Sequence, residues 1–182
     1  QVVAGFRMSA AAETDAQFAA TRVDVDRAGA LATQHAEARI GALGLAPGAA
    51  FTLAPAAGIV SETAYTLAAD VLATAPGATI AIQPNGAQPG TLVVGKLDAR
   101  AGGPVKVTGG RLAAPDGALT LIVATPTKRG VTPLLDLRAS AWTGPLAITV
   151  VDGAGAPVKG KAYLSGGVLK FDTTTGTALI LR

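Results

Sequence analysis

From about residue 50 onward the chain is a succession of short runs in which apolar side chains recur at every second position, broken by turn signals every eight to twelve residues. The turns are PNG (84–86), QPG (88–90), AGG (101–103), PDG (115–117), KRG (128–130), TGP (143–145), DGAG (152–155), SGG (165–167) and TTTG (173–176). Between them lie ATIAIQ (78–83), TLVVGKLD (91–98), PVKVTGG (104–110), ALTLIVAT (118–125), PLLDLRA (133–139), PLAITVVD (145–152), GKAYLS (160–165), GVLKFD (167–172) and TALILR (177–182). Many short β-rich runs with Gly and Pro punctuation predict a mainly β fold. The expectation is an antiparallel β-sandwich of jelly-roll or Ig-like type over residues 50–182. GKAYLS and GVLKFD, joined through SGG, predict a hairpin with one buried and one wet face. AYTLAADVLA (64–73) fits a helical face through Ala64, Leu67, Ala68, Val71 and Leu72, and a strand face through Tyr65, Leu67, Ala69 and Val71. The strand is preferred, because every later segment is β.

Residues 1–49 follow a different pattern. DRAGALATQHAEARIGALG (26–44) is Ala-rich, with Asp26 as an N-cap, Ala28, Leu31, Ala32, His35, Arg39, Ile40 and Leu43 at helical spacing, and Gly44 as a stop. This predicts a helix over about 27–43, although Gly29 and Gly41 each weaken it by about 1 kcal/mol. ATRVDVD upstream alternates like a strand, and LAPGAAFTLAPAAG (45–58) reads as a connector. An N-terminal arm with its connector over 1–49, then a sandwich, is the resulting organisation. No repeat of fixed period is evident. The chain opens QVVAGFR, without Met and with apolar residues that a solvated terminus does not need. A processed end is expected, with Val3 and Phe6 buried against a neighbouring copy.

Composition narrows the function classes. The 182 residues are 49% hydrophobic but only 4% aromatic, so a core must be built from Val, Leu, Ile and Ala. No run of about 18 apolar residues occurs, so no membrane-spanning helix is expected. The absence of cysteine excludes disulfides, thiolate metal sites and a cysteine nucleophile. Residues 1–95 carry four basic and seven acidic side chains, a net of −3, and residues 96–182 carry eleven and five, a net of +6. Opposite poles favour head-to-tail contact between copies. The basic residues are dispersed and not interleaved with aromatics, which argues against nucleic acid.

Motifs for catalysis fail on inspection. GAPVKGKA (155–162) has the G-x-x-x-x-G-K spacing of a phosphate loop, yet Ala162 replaces the Mg²⁺-ligating hydroxyl and Pro157 removes a backbone donor. A turn between strands accounts for it. His35 is the single histidine, on the apolar stripe of the expected helix, and none of the four serines sits in a nucleophile-elbow context. Asp24 and Asp26 share a strand face but lack a third spaced carboxylate for Ca²⁺. Trp142, Tyr65 and Tyr163 are the candidate ligand or rim aromatics, with a core or rim anchor the simpler role for Trp142. The expectation is therefore a non-enzymatic structural subunit without metal or cofactor, self-associating at an extracellular, cell-surface or virion location. It would form a filament, sheath, tail or capsid decoration. A neighbour's strand would be added to a sheet edge, with Val3, Phe6, Phe18, Val23 and Val25 as arm residues and TALILR as part of the acceptor. The alternative is a carbohydrate-binding jelly-roll module that recognises surface glycans.

Overall fold

The computed structural model describes residues 6–8, 21–33, 36–55 and 62–174. The strands are β1 (Phe6–Met8), β2 (Arg22–Val25), β3 (Ala28–Thr33), β4 (Glu37–Leu45), β5 (Ala50–Pro55), β6 (Tyr65–Ala73) and β7 (Thr79–Ile82). They continue as β8 (Gly90–Asp98), β9 (Val105–Ala113), β10 (Ala118–Ile122), β11 (Val131–Trp142), β12 (Ala147–Val151), β13 (Lys161–Ser165) and β14 (Val168–Asp172). Pairing skips one strand at a time: β2, β4, β6, β8, β10 and β12 form one parallel ladder, and β1, β3, β5, β7, β9 and β11 form another. Each coil therefore lies on the one before it, which makes the protein a β-solenoid.

Within a coil the chain turns where the inward and outward rhythm slips. In β4, β6 and β8 the buried residues Ile40, Ala69 and Val94 are followed by two residues that point outward, then by the buried Leu43, Leu72 and Leu97. A straight strand alternates strictly, so the slipped pair marks a corner, at Gly41–Ala42, Asp70–Val71 and Gly95–Lys96. In later coils the chain breaks at that place. Arg111–Ala113 pairs with Thr91–Val93, a turn at Pro115–Gly117 intervenes, and Thr120–Ile122 pairs with Lys96–Asp98. Gly109 and Gly110, with φ of 66° and 46°, make the preceding corner, where β9 leaves the odd ladder and enters the even one. Those angles are costly for any residue with a Cβ.

Stacking places like residues in axial rows. Val23, Leu43, Leu72, Leu97, Leu121 and Val150 form one inward row. Its four leucines are 0–1% exposed, so each contributes roughly 2–3 kcal/mol of apolar burial. Phe51, Ile80 and Val107 form a row on the odd side, and Ala38, Leu67, Leu92, Leu112 and Trp142 another on the even side. β13 and β14 form an antiparallel hairpin through Gly166 and Gly167, both at positive φ, and β14 caps β11. Leu169 and Phe171 of that hairpin are buried, in accord with the expected wet and dry faces.

The antiparallel sandwich, jelly-roll or Ig-like, is thus corrected to a parallel solenoid. Both folds are built from short strands and Gly-rich turns, and alternation alone does not reveal which strand lies beside which. The helix over about 27–43 is also corrected: those residues form β3 and β4. Ala favours a helix locally, but here β3 and β4 join the parallel ladders and Leu31, Ile40 and Leu43 still reach the core. The segment read as a connector contains β5, and the boundary expected near residue 50 falls where Ala50 pairs with both Ala28 and Thr79. At 64–73 the strand reading holds, with Tyr65, Leu67 and Ala69 on the buried side. TALILR and His35 lie outside the described residues.

Candidate assembly surface

The two ends of the stack are the least finished parts of the molecule. Among the described residues, the outer edges of β1 and β2 have no strand partner. At the other end β12 is covered over Val150–Val151 by the returning segment, with Val158 N donating to Val150 O at 3.1 Å and Asp152 N to Ala156 O at 2.8 Å. The outer edges of Ala147–Thr149 and of β13 carry no strand partner among the described residues.

Strand direction matters here. β14 runs against β11, and β13 runs against β14, so β13 points the same way as β11 and every other strand of the odd ladder. β12 is parallel to β10 and so to β2. The exposed edges at both ends of the molecule therefore share one direction.

Among the described residues the core is also incompletely closed. Val23 and Val150, the two ends of the leucine row, are only half-buried, as are Ile148, Leu146 and Trp142. Leu164 faces the same side as the buried Leu169, directly opposite it in the hairpin, yet is 38% exposed. Trp142 ends the row that begins at Ala38, and its indole Nε1 is buried without a hydrogen-bond partner among the described residues. A buried donor without an acceptor costs about 1–3 kcal/mol, so this end of the stack is less well satisfied than its middle.

Charge follows the axis, because sequence order in a solenoid is axial order. Among the described residues from 21 onward there are three basic and five acidic side chains up to residue 95, and ten and five from residue 96. At the positive end Lys128, Arg129 and Lys159 line a cavity of about 390 Å³ between the β10–β11 and β12–β13 loops. Asp152 also lines it, but its carboxylate is occupied by the N–H groups of Ala154 and Ala156. This loop contains the G-x-x-x-x-G-K spacing. It is a turn that leads into β13, with Pro157 beside Val151.

On the flank of the stack the arginines are paired. Period-two spacing puts Arg22 with Asp24 and Asp136 with Arg138 on common strand faces, Arg100 in the turn after β8 folds back on Asp98, all at 2.6–2.8 Å, and Arg39 reaches Asp70 in the next coil. The Arg138 hydrogen bond holds the Asp136 carboxyl down at about 2, and the Arg100 hydrogen bond lowers that of Asp98. A groove of about 830 Å³ runs along this flank between the Arg22–Asp24 and Asp98–Arg100 pairs. Asp24 is thus engaged by Arg22, and among the described residues no three His, Asp or Glu side chains are grouped to hold a metal.

The residues expected to form an arm are dispersed. Val25 is buried and Val23 packs against the core of the chain's own first coil. Phe6 belongs to β1, paired with Leu31 of the same chain, while Val3 and Phe18 lie outside the described residues. Of the aromatics, Tyr65 is a core residue at 1% exposure, Tyr163 is half-buried on β13, and Trp142 sits at the open end. Sequence reasoning missed Leu164, Ile148 and Val150 as end residues. Only the coil order distinguishes them from interior members of the same rows. No helix among the described residues is long and apolar enough to cross a membrane. No family model, curated protein or solved structure matches this chain.

Proposed function

We propose that the protein is a non-enzymatic structural subunit that stacks end to end into a filament or sheath at a cell or virion surface. The observation that carries this reading is the shared direction of the exposed strands at the two ends, which lets β13 of one copy receive β1 of the next as a further parallel strand. Such a contact is heterologous: one surface meets a different one, so growth continues without closing. Burial of Leu164, Ile148 and Val150 would drive association, and the opposite axial charges would set polarity. On the flank the Asp24 and Asp98 carboxylates are each held by an arginine, Arg22 and Arg100.

Sedimentation and negative-stain electron microscopy test the proposal. The native chain should polymerise, and the Trp142 emission should move to shorter wavelength as the open end is covered. Leu164→Lys together with Ile148→Lys should leave monomers. A native chain that stays monomeric at high concentration, or a double variant that still forms filaments, would overturn the reading.

A further inference from the structure

We propose that the cavity between the β10–β11 and β12–β13 loops binds a small phosphomonoester, held as a dianion by Lys128, Arg129 and Lys159. This inference does not rest on end-to-end stacking. The cavity, of about 390 Å³, lies near the lower end of the range for small-molecule sites. Three of its lining groups are cations and one, Asp152, is a carboxylate, which leaves a net charge of +2. The carboxylate serves its own loop: one oxygen accepts from Ala154 N and Ala156 N, each at 2.9 Å. Arg22, Arg39, Arg100 and Arg138 each have a carboxylate within 2.8 Å, whereas among the described residues Lys128 and Arg129 form no ion pair.

Both walls are held in place by the fold itself. On one side Thr173, just beyond β14, ties down the turn that carries Lys128 and Arg129. Its hydroxyl accepts from Gly130 N at 2.9 Å and donates toward the carbonyls of Lys128 and Gly130 at 3.2 and 3.1 Å, and its own N–H donates to Gly130 O at 2.9 Å. On the other side Asp152 N donates to Ala156 O at 2.8 Å and Val158 N to Val150 O at 3.1 Å, so Lys159 leaves from a fixed point. Loops already fixed spare a ligand the cost of ordering them.

The chemistry of the walls selects the occupant. Ammonium and guanidinium groups donate and never accept, so the ligand must present acceptors. A phosphomonoester carries a charge of about −1.5 to −2 near pH 7 and three terminal oxygens, one for each cation. A carboxylate or a phosphodiester brings a single charge and two free oxygens, which leaves a cation unmatched. A longer polyanion needs a track of cations leading away from the cavity, and the flank arginines are already neutralised by their carboxylates. The site is not a phosphate loop of the G-x-x-x-x-G-K kind, because Lys161 belongs to β13, Pro157 has no N–H to offer, and side chains hold the anion. Beside the cations Thr125 and Thr127 bring hydroxyls, and Pro126, Pro157 and Val158 bring apolar surface, which suits a short polyol body on the phosphate.

Titration calorimetry with glycerol 3-phosphate on dilute native protein, in about 0.15 M salt, tests this. Sedimentation of the same sample reports on stacking separately, so either reading can fail without the other. Glycerol 3-phosphate should bind one to one, with glycerol silent and acetate and dimethyl phosphate at least tenfold weaker. Lys128→Gln with Arg129→Gln, both exposed side chains, should weaken binding tenfold or more. Lys96→Gln with Lys106→Gln removes the same charge from exposed positions outside the cavity and should change it less than twofold. Absence of saturable binding, equal binding of dimethyl phosphate, tighter binding of a tetrathymidylate without terminal phosphate, or equal losses in the two double variants would overturn the proposal.

Discussion

Tyr65 is an acid buried in the wall of the stack, and its removal should change the alkaline stability of the protein in a predictable way. The side chain is 1% exposed, its ring lies where a Cβ on Gly90 of the next coil would otherwise sit, and its hydroxyl is within reach of the carbonyls of Leu53, at 3.2 Å, and Gln83. Burial pushes its pKa from 10.0 up to about 12. The unfolded chain ionises at the lower value and the folded chain at the higher. The stabilisation is therefore complete below pH 10 and is lost as pH rises toward 12, amounting to roughly 3 kcal/mol for a two-unit shift. Tyr65→Phe abolishes this term. At neutral pH the substitution should cost about 1 kcal/mol, because Leu53 O keeps its bond from Gln83 N and chiefly Gln83 O loses a partner. The two stability curves should then cross near pH 11, with the variant more stable above it. Urea unfolding of both proteins in steps from about pH 8 to 12 measures this, and lysine titration, common to both, cancels in the difference. Parallel curves without a crossing would refute the reasoning.

Two further outcomes follow from local geometry. Gly110→Ala should destabilise by about 2–4 kcal/mol, since a Cβ at φ 46° meets the Ile82 side chain and the Gly90 carbonyl. Gly130→Ala, where a Cβ meets nothing within 4 Å, should stay within about 0.5 kcal/mol by the same thermal or urea measurement. In Arg138→Ala the Asp136 carboxyl, now held at about 2 by the Arg138 hydrogen bond, should rise toward 3.8 in a carboxyl NMR titration.

Much of the local structure was legible because strand alternation and turn chemistry are local. β7 to β14 fall where the runs between turns predict them, and the Gly166–Gly167 hairpin follows from its SGG signal. Topology was not legible. The step between stacked residues ranges from twenty, for Arg22 beside Ala42, to thirty-one, for Thr108 beside Ala139, so the coils leave no fixed period in the sequence. What is conserved from coil to coil is the inward row, and Leu43, Leu72, Leu97 and Leu121 are spaced 29, 25 and 24 residues apart. The flank groove was hidden for a related reason. Asp24, Gly44, Ala73 and Asp98 are unremarkable separately and become one feature only through the stacking order.

Each coil touches only the coil before and the coil after, and this gives the molecule a graded rigidity. β6 and β8 have strand neighbours on both sides and contribute Leu67, Leu72, Leu92 and Leu97, all at 0–1% exposure, whereas the rows at the ends finish in Val23, Val150 and Leu164. Opening therefore begins at the termini of the stack and travels inward one layer at a time, as in a zip fastener. Amide hydrogens of the central coils will exchange last. Whatever seats on an end, a neighbouring subunit above all, slows exchange throughout by closing the place where opening starts.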